Sequence, residues 1–221
     1  MAQEALLSLS LAPVYRPDSM LEVVHLSCLR GERTLFTDLS FTLSPGELLQ
    51  VAGANGSGKT SLLRMLCGLS APLAGEIRWN NAAARGEDFN RDLLYIGHHS
   101  AVKEELTPLE NLLIASTFAS APLTESQALD ALNRIGLGGR EHLPTKALSQ
   151  GQKRRVGLAR LLVSNAPLWI LDEPLTALDV LAVELIQARL AEHLAQQGMI
   201  VLTTHQALQV PGITPRQIAL S

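Results

Sequence analysis

The stretch GANGSGKT, residues 53–60, follows the apolar run Leu48–Ala52 and leads into Thr60 and Ser61, where an amphipathic segment begins. Glycines at 53, 56 and 58 permit a tight loop that turns backbone N–H groups inward on an anion. A helix starting directly after it adds the positive end of its dipole. At this spacing Lys59 reaches the β and γ phosphates of a nucleotide, and the Thr60 hydroxyl ligates magnesium. Gly53, Ala54, Asn55, Gly56, Ser57, Gly58, Lys59, Thr60 and Ser61 are therefore the predicted nucleotide-binding residues.

A second chemical unit is WILDEP, residues 169–174. An apolar strand delivers Asp172 to its end, where a carboxylate can hold magnesium, and the adjacent Glu173 can accept a proton from an attacking water. Alone, such a pair is a solvated turn; beside a phosphate loop it is a catalytic pair. LSQGQKRR, residues 148–155, places a glycine-containing turn at a helix start, a second anion-binding arrangement followed by a basic run expected to face solvent. His205 closes the apolar stretch MIVLTT. His98 and His99 end the run LLYIG, where they could ligate metal, act as a base, titrate as a switch or cap a turn.

The elements that must position these groups alternate. Leu21–Leu26, Ser40–Leu43, Leu48–Ala52, Gly75–Trp79, Leu93–Ile96, Leu168–Leu171, Met199–Leu202 and Gln217–Leu220 read as strands. Helical spacing marks Thr60–Leu69, Thr107–Phe118, Glu125–Leu137, Ser149–Ser164 and the stretch from Leu178 to Leu194, with Thr107 and Thr124 as N-caps and Gly198 at C′. NNAAARGEDFNRD reads as a polar loop. The alternation implies an α/β fold with parallel strands.

Composition fits a globular chain: 47% hydrophobic and 18% charged over 221 residues. A formal net charge of −3 offers no general attraction to nucleic acid or anionic lipid. Cys28 and Cys67 form no CxxC pair, so neither a disulfide framework nor a thiolate zinc site is expected, and a reducing, cytoplasmic setting is. No apolar stretch is long enough to cross a membrane as a helix. Residues 1–19 precede Met20 and are expected to be a disordered leader.

In their order, these elements resemble the ATP-binding cassette (ABC) ATPases: Walker A (GANGSGKT), a helical insertion, a signature (LSQGQ where LSGGQ is typical), Walker B (LWILDE), a D-loop (TALD, Asp179) and a switch histidine (TTHQ, His205). The resemblance covers residues 20–221 as a single nucleotide-binding domain with the helical insertion at about 103–160. It implies a P-loop NTPase fold with a mixed sheet core, an antiparallel β edge and a small helical subdomain. It also implies ATP and Mg2+ as ligands, and a head-to-tail homodimer. Ser149, Gln150, Gly151 and Gln152 would then contact ATP held by the partner's Walker A, while His205 would meet the γ-phosphate beside Glu173. Three positions depart from the pattern. Arg30, in CLRGER, stands where an aromatic residue stacks on adenine, and Gln150 replaces a glycine. His98 stands where a glutamine usually follows the strand, with His99 one register away.

Within the family, RTLFTDLSFTLSPGE, GH, LTPLENL and VLTTHQ resemble the ATP-binding subunits of bacterial cytochrome c maturation. That implies a peripheral protein on the cytoplasmic face of the inner membrane, working with an integral membrane transporter subunit and cytochrome c maturation components, and coupling hydrolysis to haem export or haem-chaperone release. The ATPase of another small-substrate transporter is the alternative. Nucleic-acid partners are not expected: a DNA-repair or translation ABC ATPase would carry a coiled-coil insertion or a second cassette. Haem ligation by this chain is not expected either, in the absence of a CxxCH motif.

Overall fold

A computed structural model describes residues 19–117, 122–206 and 208–220. The expected leader lies outside the described residues up to position 18; its last residue, Ser19, is buried beside the first strand. The elements run β1 (Leu21–Arg30), β2 (Arg33–Leu43), β3 (Leu48–Gly53), α1 (Lys59–Leu66), β4 (Ala74–Trp79), β5 (Ala82–Ala83), α2 (Glu87–Asp92) and β6 (Leu93–Ile96). They continue with α3 (Pro108–Thr117), α4 (Glu125–Leu132), a π turn (Asn133–Leu137), a 3-10 turn (Thr145–Ala147), α5 (Gln150–Val163), β7 (Leu168–Asp172), α6 (Val180–Ala195), β8 (Met199–Thr203) and β9 (Arg216–Leu220).

Five strands form a parallel sheet in the order β6-β7-β8-β3-β9, and the antiparallel strands form a sheet of their own, β2-β1-β4-β5. Strands β7 and β8 are buried at every position. Their side chains therefore alternate between two cores. Trp169, Leu171, Ile200 and Leu202 face α5, α6 and the helical insertion, while Leu168, Ile170, Met199 and Val201 face α1 and the antiparallel sheet. This double burial is why LWIL and MIVL read as continuous apolar runs.

Thr107 and Thr124 cap α3 and α4 as expected, each trading hydrogen bonds with the residue three positions on, Glu110 or Gln127. Three local readings change. The expected polar loop contains β5 and α2, held by buried Phe89 at the edge of the Trp79 ring and by the bond from Trp79 Nε1 to Asp92. Strand β2 starts at Arg33 rather than Ser40, its pairing with β1 shifted near Asp38, which has φ +56°. At the end of α6 the left-handed residue is Gln197 (φ +67°), not Gly198.

There Gly198 N donates to His193 O at 2.8 Å and Gln197 N to Leu194 O at 2.9 Å, a Schellman cap that puts Gly198 one residue beyond C′. Glycine is required at 198 for another reason. A Cβ there would lie 2.2 Å from the His193 ring, which stacks on Trp169 at 3.8 Å while Arg189 lies over the Trp169 ring at 4.9 Å.

Burial, aided by the charge of Arg189, pushes His193 down to about 3 from an ordinary 6.5. The unfolded chain thus binds the extra proton first, so the stability contributed by neutral His193 is complete above pH 6.5 and is lost as pH falls toward 3. Unfolding free energy should drop by about 1.4 kcal/mol per pH unit in that window, over and above the slope of His193→Phe. Urea denaturation at pH 7 and 5.5 checks this; identical slopes for the two proteins would refute it.

Candidate active site

The phosphate loop joins β3 to α1. Gly53 must be glycine because a Cβ at its φ of +148° would lie 2.5 Å from Ser57 Oγ and 2.6 Å from Leu220 O. Gly58, at φ +104°, turns the chain into α1, with a would-be Cβ 3.1 Å from Leu35. Within the loop, Lys59 Nζ donates to Gly53 O at 2.8 Å and Ala54 O at 3.1 Å, so the ammonium stands over the loop's own carbonyls. Ser57 Oγ is buried without a hydrogen-bond partner.

Strand β7 brings Asp172 to the same place. Its Oδ2 accepts from Thr60 Oγ1 at 2.8 Å and its Oδ1 from Thr203 Oγ1 at 2.7 Å. Glu173 follows in a left-handed conformation, φ +52°, and its N–H is directed at Thr203, 3.0 Å to the hydroxyl and 3.2 Å to the carbonyl. Glu173 Oε2 accepts from His205 N at 3.3 Å and Thr176 Oγ1 at 3.4 Å. Oε1 is buried without a hydrogen-bond partner, 3.5 Å from His205 Nε2. One oxygen of this carboxylate is thus anchored while the other is free to accept.

Lys59, Thr60, Asp172, Glu173, Thr176 and His205 line a cavity of about 600 Å3 with Asn55, Gly56, Gly58, Ser61 and His98, and Arg30 and Leu35 contributed by β1 and β2. The sequence-predicted Asp172, Glu173, His98, His205 and Arg30 converge here with Asn55, Gly56, Gly58, Lys59, Thr60 and Ser61 of the loop, whereas Gly53, Ala54 and Ser57 do not line it; nor does His99, its ring lying edge-on to that of His98. Ser149, Gln150, Gly151 and Gln152 also stand apart. Ser149 caps α5 by accepting from Gln152 N at 3.3 Å, and the Gln152 side chain accepts from Ser149 N at 2.9 Å. Asp179 caps α6 and pairs with Arg155; the Ala182 amide, then Arg155, hold its carboxyl below the usual range.

A magnesium ion fits this arrangement. A hydroxyl and a carboxylate, Thr60 Oγ1 and Asp172 Oδ2, meet at the cavity as hard oxygen donors. Such a sparse donor set suits an ion whose shell is completed by phosphate oxygens and water.

The sequence reading missed Thr203 and Arg154. The basic run after the signature is not a solvated face: Lys153 and Arg154 are 8% and 6% exposed, and Lys153 bonds Glu104 at 2.7 Å. Nη1 of Arg154 donates to the carbonyls of Gly97 (2.9 Å) and His98 (3.2 Å), and Nη2 to those of Asp172 (3.2 Å) and Glu173 (2.8 Å). Burial lowers its proton affinity, opposed by the charges of Asp172 and Glu173. The hydroxyl ending an apolar strand was the available signal for Thr203; for Arg154 there was none.

Comparison with known proteins agrees with the geometry. The family profile described as ABC transporter matches residues 36–176, more than half of the chain. A protein of Dechloromonas aromatica (strain RCB), named cytochrome c biogenesis ATP-binding export protein CcmA, is 56% identical over 203 residues, covering 91% of this chain and all of that one. The protein of the same name from Escherichia coli (strain K12) is 48% identical, covering 91% and 97%. The fold is shared with the ATP-binding cassette MJ0796, solved as a dimer in a post-hydrolysis state bound to ADP and Pi. Its TM-score is 0.75 at 22% identity, covering 90% and 94%. The chain belongs to the ABC transporter family, as an ATP-binding and ATP-hydrolysing cassette.

Proposed function

We propose that the cassette powers an export complex in c-type cytochrome biogenesis, coupling ATP hydrolysis to haem export or haem-chaperone release. The observation that carries this reading is the near full-length identity to relatives named for that process. Glu173, through its unpartnered oxygen, takes a proton from water held against the γ-phosphate, and His205 orients both. Lys59 and the loop amides hold the β and γ phosphates, and Arg30 lies flat on the adenine. Thr60 and Asp172 would hold Mg2+, which would supply charge neutralisation for the phosphates. His98 takes the place of the glutamine that follows this strand in the family.

The signature residues do not line their own cavity, which supports a head-to-tail homodimer in which Ser149 and Gly151 reach the partner's nucleotide, with Gln150 and Gln152 beside them and Asp179 at the seam. Among the described residues no helix is long and apolar enough to cross a membrane, in keeping with a peripheral subunit on the cytoplasmic face of the inner membrane.

Deleting the gene should abolish covalent haem staining of c-type cytochromes, restored by the wild type and not by Glu173→Gln; persistence of mature cytochromes in the deletion strain would overturn the assignment.

A further inference from the structure

We propose that Arg154 is a positioning residue for hydrolysis, tying the loop at Gly97 and His98 to the backbone of Glu173 and thereby setting the catalytic carboxylate from two directions. The inference rests on Glu173 being the base. A guanidinium 6% exposed is costly unless its donors are satisfied, and it is normally satisfied by a carboxylate. Among the described residues none lies within ion-pair distance of Arg154. Its acceptors are the four carbonyls of Gly97, His98, Asp172 and Glu173.

Those carbonyls sit at or just beyond the ends of β6 and β7, neighbouring parallel strands in which Ile96 pairs with Leu171. The planar fork of arginine spans both chain segments, one nitrogen to each, which a single ammonium cannot do. Glu173 needs such a clamp. A non-glycine residue at φ +52° is held against its own preference by its surroundings, here Thr203 on its N–H and Arg154 on its C=O. Rotation of that peptide would swing the carboxylate away from His205.

Arg154 also lies on α5, the helix capped by Ser149. At about 1.5 Å per residue, Ser149 and Arg154 are about 7.5 Å apart along one rigid rod. A displacement of the signature end therefore reaches Glu173 through one side chain, and so does a displacement of the loop at His98. Engagement of a second cassette and movement of the helical insertion converge on the same carbonyl.

The test uses the purified full chain with Arg154→Met, which keeps length and removes all donors, and Arg154→Lys, which keeps charge without the fork. Expected for Arg154→Met is an ATP dissociation constant within threefold of wild type and a kcat at least tenfold lower. Arg154→Lys should fall between, again in kcat alone. A double-mutant cycle with Thr203→Val, read in kcat, should be strongly non-additive, because both residues hold the same peptide. A folded Arg154→Met with wild-type kcat overturns the inference, as does a loss confined to binding; if that variant does not fold, a wild-type kcat in Arg154→Lys overturns it equally. Persisting turnover in Glu173→Gln would instead sink the assignment of the base itself, whatever Arg154 does.

Discussion

Glutamine at position 173 is expected to lower steady-state ATP hydrolysis by about 10²- to 10⁴-fold while leaving ATP affinity within a few-fold. Geometry makes the separation clean. The anchored oxygen of Glu173 accepts from His205 N and Thr176 Oγ1, and an amide oxygen can accept from both. The backbone clamp by Thr203 and Arg154 does not involve the side chain. What disappears is the free, buried oxygen beside His205 Nε2, replaced by an NH2 group that donates and cannot take a proton. A protein that binds ATP without turning it over should accumulate in the closed assembly, so sedimentation in ATP and magnesium should detect a dimer of Glu173→Gln that disperses when ADP replaces ATP. Phosphate release at a substantial fraction of the wild-type rate would sink the general-base assignment, and a monomer in ATP would sink the head-to-tail dimer.

The parallel core was legible because β7 and β8 are buried on both faces, which forces LWIL and MIVL into unbroken apolar runs. The phosphate loop was legible because its glycines answer to backbone geometry: Gly53 and Gly58 adopt conformations and approaches that a side chain would obstruct. Helix α2 was not. Six residues with one buried side chain, Phe89, produce no periodicity, and its place is fixed by Trp79 and Asp92 from outside its own sequence. Gly198 misled in an instructive way. A glycine after a helix suggests a left-handed cap, yet the requirement here comes from the His193 ring and the cap conformation passes to Gln197.

The site divides similarly. Lys59, Thr60, Asp172, Glu173 and His205 are readable because each sits in a local motif whose chemistry is fixed by spacing. Arg154 is not, since a buried arginine bonded to carbonyls and a solvated arginine in a basic run have the same letters around them. Its role exists only once β6, β7 and α5 are brought together. The same holds for Thr203, whose hydroxyl gains meaning from accepting the Glu173 amide and donating to Asp172.

Alanine at position 59 should give the opposite division from glutamine at 173, with binding lost before chemistry is reached. The Lys59 ammonium bonds Gly53 O and Ala54 O, holding a positive charge over the loop; arriving phosphate oxygens compete for the same donors. Arg30 is the other lysine or arginine among the residues lining the cavity, and it belongs to β1 rather than to the loop, so no neighbouring ammonium can replace it. A hydrogen bond to a charged group contributes about 1.5–3 kcal/mol, so loss of the γ-phosphate contacts should weaken ATP binding by about 10- to 150-fold. Turnover should fall further, because charge on the transferred phosphoryl group is redistributed in the transition state and meets no ammonium. The loop itself should persist, since Gly58 O still accepts from Leu62 N at 2.8 Å and α1 keeps its buried leucines. Thermal unfolding of Lys59→Ala should therefore lie within a few degrees of wild type in the absence of nucleotide, with the ATP-induced rise in melting temperature lost. A full ATP-induced rise in the variant would mean that the loop amides alone bind the triphosphate and that Lys59 acts only in the chemical step.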